Sequence, residues 1–262
     1  MKLTTVVFAL LCQSSFFQDF PALTSGNWTE AAPTKARRAE ASSLVYDNKI
    51  YVFHGYNPVW VVSHTSETYD PQTNAWTDLA PLPSGNHSGM THNGIALVGD
   101  EVWLTGGKSG YQNILTNKVL IYNIPKNEWR PGPDLPENIG SASLVKLGKK
   151  LHLIAGGTHP AGTQPAHKNF CVLKYSHYVL DLNQPEQGWQ DILAPLPPGF
   201  GRIHQSTVTI GGKIYLMGGQ DGHDCGNSDK SWLHVYDPTP MPGPDWLICP
   251  CPPPTPNPVP LP

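Results

Sequence analysis

One pattern is written four times along this chain: two hydrophobic strands joined by a short turn, a glycine doublet, a long loop, a Tyr-Asp strand, a Trp and a proline-rich link. The doublets fall at His54-Gly55, Gly106-Gly107, Gly156-Gly157 and Gly218-Gly219. Each closes a predicted strand, at residues 50–53, 102–105, 151–155 and 214–217, and each strand has a predicted partner just upstream, at 42–46, 93–98, 141–145 and 205–209. The turns between partners, such as Asp47-Asn48 and Gly211-Gly212, supply the positive φ that tight hairpins demand. A third strand ends at Tyr69-Asp70, Tyr122-Asn123, Leu180-Asp181 and Tyr236-Asp237, and a fourth starts at Trp76, Trp129 and Trp189.

The repeat length of about 50 residues is that of a propeller blade. A four-stranded sheet this short has two faces too apolar for water, so it must stack face to face with its own copies around an axis. The chain is therefore expected to be all-β. At the end of an inner strand there is no room for a Cβ beside the neighbouring backbone, which explains the doublets. His54 reads as a tolerated variant of that rule. The Trp and Tyr at fixed offsets are expected to pack between blades as scaffold.

These doublets, Tyr-Asp pairs and spaced Trp residues resemble the kelch-repeat family, whose wider superfamily includes galactose-oxidase-like propellers. The resemblance runs from about Trp28 to Asp237 and implies a kelch-type β-propeller with four recognisable blades, near 38–80, 87–133, 139–195 and 202–246. The ring is either closed or partial. Trp28, which precedes Ala31-Ala32-Pro33 as Trp76 precedes Leu79-Ala80-Pro81, could supply blade 4's outer strand and close it; Trp246 is the rival for that place.

Residues 1–26 read as a secretory signal: Lys2, then an apolar run from Leu3 to Cys12 too short to span a bilayer, then polar residues. Sequons at Asn86 and Asn27 agree with export, Asn86 being better placed in a link while Asn27 adjoins a Trp expected to be packed. Four cysteines follow the signal, allowing three pairings. A Cys171–Cys225 bridge is preferred, because both lie in loops after the doublets of consecutive blades. Cys249 and Cys251 are poorly spaced to bridge each other. Residues 248–262 read as a proline-rich disordered tail, with eight prolines among residues 249–262.

A net charge of −3 and a pI near 6.4 argue against nucleic acid. The loops after the doublets and the links into the next blade share one face, where function is expected. That face collects Trp60, His64, Tyr111, His159, His167, Asp221 and His223, with Arg202, His204, His92 and Glu137 from the links. His223-Asp224-Cys225 is dense in ligand atoms, but three adjacent residues seldom converge on one ion, so neither metal nor cofactor is expected. Glu137 and Arg202 are the pair to nominate for a sugar epimerase. No nucleophile elbow, phosphate loop or HExxH motif appears. The reading is thus a secreted interaction module for an extracellular protein or glycan, with no membrane span and a homo-oligomer open to it; a carbohydrate-directed enzyme is the alternative.

Overall fold

The computed structural model describes residues 26–82, 89–110, 114–159, 172–222 and 228–239. The chain divides into an N-terminal unit, Met1–Ala31, and a second unit, Ala32–Pro262, which carries every strand among the described residues.

Blade 1 is an antiparallel meander of β1 (Ser42–Tyr46), β2 (Lys49–Phe53), β3 (Ser66–Asp70) and β4 (Ala75–Asp78). After the rim strand β5 (Met90–Thr91), blade 2 is built from β6 (Gly94–Val98), β7 (Glu101–Thr105), β10 (Val119–Asn123) and β11 (Glu128–Pro131). Its long loop carries β8 (Lys108–Ser109) and β9 (Ile114–Leu115), which pair with β5. Blade 3 has β12 (Ser143–Leu147), β13 (Lys150–Ile154) and β16 (His177–Asp181), with the rim hairpin β14 (Gly157–Thr158) and β15 (Val172–Leu173). Its fourth strand is reduced to one bridge, Val179 to Gln190. Blade 4 has β17 (Ser206–Ile210), β18 (Lys213–Met217) and β19 (Leu233–Tyr236). The innermost strands neighbour each other in chain order, β1, β6, β12 and β17. This is the expected all-β propeller.

Alternation along each strand gives every blade one face toward the blade before and one toward the blade after. At the first seam Leu44, Tyr46, Tyr51 and Phe53 meet Ile95, Leu97, Val102 and Leu104. At the second, Ala96 and Trp103 meet Leu144, Leu151 and Leu153. At the third, Val145, Leu147 and Ile154 meet Ile214 and Leu216. A backbone bond locks each seam: Gly55 N–H donates to Met90 O at 3.1 Å, Gly107 to Ile139 O at 2.7 Å and Gly156 to Arg202 O at 2.9 Å.

These bonds correct the register of blade 3. Its doublet is Ala155-Gly156, not Gly156-Gly157, and its first strand starts at Ser143 rather than Ser141. The first doublet position, His54, Gly106, Ala155 or Gly218, has φ of 52°, 63°, 60° or 65°, which a side chain can tolerate. The second, Gly55, Gly107, Gly156 or Gly219, has φ of 90°, 86°, 100° or 95°, which requires glycine.

The outer strands are tied by a second repeated device. The Trp76 indole donates to Ala32 O at 2.8 Å, that of Trp129 to Ala80 O at 2.8 Å and that of Trp189 to Pro133 O at 2.9 Å. Asn74 Oδ1 accepts Ala32 N–H and Tyr69 O–H, and Asn127 Oδ1 repeats this with Ala80 and Tyr122. The Trp rings do pack across seams, as Trp129 does on Phe53 and His54, but they also anchor the links. The expectation for Trp28 fails: it lies in no strand and its ring is fully exposed. Trp246 lies outside the described residues, as do Cys171, Cys225, Cys249, Cys251 and the tail.

A Cβ at Gly107 would sit 2.3 Å from Thr91 O, whereas one at Gly218 would meet nothing closer than 3.7 Å. Gly107→Ala should therefore cost at least about 3 kcal/mol, and Gly218→Ala about 1 kcal/mol for its left-handed φ alone. Urea denaturation of the two variants checks this difference; equal losses would contradict the close packing at Gly107.

Candidate functional site

Two residues before each innermost strand, the chain places a non-glycine residue in the left-handed region: Glu40 (φ 53°), His92 (55°), Ser141 (53°) and His204 (56°). Non-glycine residues hold such angles only where their surroundings fix them. Here each blade hands a bond to the last. Thr91 Oγ1 donates to Glu40 O at 3.1 Å, Ser141 N–H to His92 O at 2.7 Å and Gln205 Nε2 to Ser141 O at 3.3 Å. The carbonyls of Glu40, His92 and Ser141 thus each accept a bond from the following blade, and their own side chains take no part in it.

Three of the four side chains converge. His92 Nδ1 lies 3.2 Å from Glu40 Oε2, and the His92 and His204 rings are 5.3 Å apart. Tyr56 packs edge-on to His92 at 6.0 Å and to Trp60 at 5.6 Å. The result is a polar patch of one carboxylate and two imidazoles, flanked by an aromatic step whose outer member, Trp60, is largely exposed. Sequence reasoning named His204, His92 and Trp60 but missed Glu40 and Ser141. Their shared offset appears only with the observed strand starts, since the predicted blade 3 strand begins at Ser141 itself.

The other expected residues are scattered. His64 is exposed and His159 half-buried. Asp221 is taken up locally, accepting from Lys230 Nζ, Ser228 N–H and Ser228 Oγ, which together hold its carboxyl down to about 2. Tyr111, His167, His223 and Asn86 lie outside the described residues. Asn27 is exposed, and the Trp beside it is not packed. Glu137 accepts Tyr178 O–H at 2.7 Å and pairs with Lys174, while Arg202 is engaged with His234 and Leu216 O. The two nominated epimerase residues thus have separate partners. Among the described residues no group of three His, Cys, Asp or Glu is placed to hold a metal ion, and no helix is long and apolar enough to cross a membrane. A cavity of about 430 Å³ between blades 2 and 3, lined by Val98, Trp103, Arg130 and Leu182, contains none of the expected site residues.

Arg202 is explained by its twin. Arg38 holds the same position in blade 1, where it donates to Thr65 O and pairs with Glu67, whose carboxylate also accepts Thr34 Oγ1 and Lys35 N–H. In blade 4 the register puts His234 where blade 1 has Glu67. Arg202 is fully buried, its Nη2 donating to Leu216 O at 3.2 Å and facing His234 Nδ1 at 3.0 Å, while Nε and Nη1 find no hydrogen-bond partner. Its guanidinium lies 5.7 Å over Trp232, a weaker compensation than a carboxylate. Burial pulls Arg202 down to about 10, and burial together with Arg202 lowers His234.

The fold is a repeat propeller, and its family follows from sequence comparison. The Kelch motif model matches residues 37–83, 90–136 and 201–240, and the chain belongs to the kelch-repeat family. Blade 3, with alanine in its doublet and leucine for the strand Tyr, is the blade left unmatched. The chain is 28% identical over 223 residues to Kelch-like protein terF of Aspergillus terreus, covering 81% of this chain and 45% of that one. It is 26% identical over 218 residues to Beta-scruin of Limulus polyphemus, covering 80% and 22%. The chain thus spans under half the length of these curated relatives. The solved structure of YjhT matches with a TM-score of 0.65 at 17% identity, over 80% of this chain and 72% of that one, a likeness of fold alone.

Two predictions follow from the buried charges. His234→Glu should recreate the Arg38–Glu67 pair and raise stability by about 1–3 kcal/mol, while Glu67→Gln should cost about 3–5 kcal/mol. Paired urea curves decide; a destabilised His234→Glu protein would contradict the twin assignment. The second concerns pH. His54 is fully buried against Trp129 with neither ring nitrogen bonded, and desolvation holds it at about 3; burial likewise holds His152 and His177, 2.9 Å apart, well below 6.5. The unfolded chain then binds more protons than the folded one below pH 6.5, so this stability is complete above that pH and lost as pH falls toward 4. Each histidine contributes about 1.4 kcal/mol per pH unit. Replacing His54 with Gly should flatten the slope by one such share, read from urea titrations between pH 6.5 and 5.

Proposed function

We propose that the chain is an interaction module that binds a partner protein at the Glu40, His92, Ser141 and His204 patch. One observation carries this reading: a left-handed φ recurs two residues before the innermost strand of all four blades while the residues that hold it, Glu40, His92, Ser141 and His204, differ in charge and size. A scaffold that holds constant angles and varies only what it presents is built for recognition, since loops carry function on rigid frames. Membership of the kelch-repeat family supports the same reading, such repeats being typical protein-interaction modules. The patch offers a carboxylate beside two imidazoles, chemistry suited to a basic or hydroxyl-bearing segment, with Tyr56 and Trp60 as an apolar step of the kind that anchors interfaces.

The reading also places the protein outside the cell, supported by the apolar run after Lys2 and the sequons at Asn27 and Asn86. A carbohydrate-directed enzyme has less support, because Glu137 and Arg202 have separate partners. The test is capture of cell-surface and secreted proteins by the chain expressed in a secretory cell, followed by affinity measurement on the purified partner. Glu40→Ala combined with His204→Ala should weaken binding at least about tenfold with unchanged circular dichroism. Unchanged affinity would overturn the site, and retention of the chain inside the cell would overturn the location.

A further inference from the structure

The three internal seams define what a blade face needs, and two faces in this chain lack it. On the face each blade turns toward its successor, blade 4 presents Val208, Ile210, Tyr215, Met217, Leu233 and Val235. Ile210 is 62% exposed, Leu233 48% and Val235 45%. Trp103 and Ile154, which hold the places of Tyr215 and Met217 in blades 2 and 3, are 4% and 3% exposed. At the other end of the arc, the face of blade 1 that looks away from blade 2 presents Val45 and Ile50, 65% and 37% exposed. The counterparts of Ile50 at the three seams, Val102, Leu151 and Ile214, are at most 1% exposed.

The two bare faces are opposite halves of one joint. Every internal seam is a successor face closed by a predecessor face; blade 4 offers the first kind and blade 1 the second. Blade 1 is prepared for a neighbour in a further respect. Ala32 and Lys35 are docked on Trp76, Asn74 and Glu67, and at Trp129 and Asn127 the same anchoring is done by Ala80, in the link arriving from the preceding blade. The six apolar residues of blade 4 expose on the order of 400 Å², the scale at which an apolar patch on a monomer marks an interaction site. No large charge opposes contact: Lys213 is neutralised by Asp237, Lys35 by Asp78 and Arg38 by Glu67.

We infer that blade 4 of one copy stacks on blade 1 of a second copy, continuing the propeller seam between chains. The contact is head-to-tail, because it joins two different patches, so it differs from the isologous interface of most dimers. The seam recurs with the geometry of the internal ones, Val208 and Ile210 of one chain lying on Val45 and Ile50 of the next.

The test uses the full chain and its mass in solution by light scattering through the micromolar range. The wild-type protein should run at twice its 28.6 kDa mass or a higher multiple, with a melting temperature that rises with concentration. Val208→Lys with Ile210→Lys, and separately Val45→Lys with Ile50→Lys, should each give folded monomers, since all four residues lie on the surface of a single chain. Mixed in equal amounts, the two double variants retain one intact face of each kind and should form a dimer that stops there. A wild-type monomer would overturn the inference and leave the faces to another protein. A double variant that still associates, or a mixture that stays monomeric, would show a contact other than head-to-tail and overturn it as well.

Discussion

Everything in this fold depends on how closely one blade's backbone can approach the next. At each seam the N–H of the second doublet residue donates to a carbonyl in the following blade's entry link. To aim that N–H outward the residue takes φ near 90°, and in blade 2 the space a Cβ would fill lies 2.3 Å from Thr91 O. Glycine is demanded twice there, by angle and by contact. The apolar faces meet only because this bond sets their separation, so burial of Phe53, Leu104, Leu153 and Leu216 is a consequence of the bond as much as a cause of stability. The first doublet position shows the approach of the next blade directly: a Cβ on Gly106 would lie 2.4 Å from Ile139 O in the link into blade 3, whereas one on Gly218 of blade 4 would meet nothing closer than 3.7 Å.

Much of this was legible in the sequence, because the repeat multiplies every weak signal by four. Two of the failures have physical causes. The doublet of blade 3 was read one residue late since Ala155, Gly156 and Gly157 form a run of small residues in which either adjacent pair can serve. The strand alternation decides it: Leu151 and Leu153 must face blade 2, which fixes the doublet at Ala155-Gly156. A charged residue opens the second strand of every blade, at Lys49, Glu101, Lys150 and Lys213, and counting five residues from it gives the right answer. Trp28 matched the local pattern of Trp76, but no local pattern states whether a partner strand lies within reach.

The site was legible only in part for a different reason. Glu40 and Ser141 carry no catalytic or ligand signature, and their importance comes from a left-handed φ that sequence alone does not announce for non-glycine residues. Arg202 shows the reverse. It looked functional from its loop position, and its burial opposite His234 shows a structural arginine that has lost its carboxylate. The clue was again internal to the repeat, for Arg38 and Glu67 stand where Arg202 and His234 stand.

The Glu40, His92 and His204 patch and the open faces belong to one mechanical system. Glu40 and His204 belong to the first and last blades, and both reach His92. Any chain that stacks on blade 1 or blade 4 therefore bears on an element that carries part of the patch. A shift of either end blade would change the spacing of Glu40, His92 and His204. By linkage, a partner that binds one spacing better must alter the affinity of the end faces by the same factor. On the two proposals together, recognition at the patch and association at the end faces would be coupled, with a strength set by how stiffly the glycine seams hold the four blades in register.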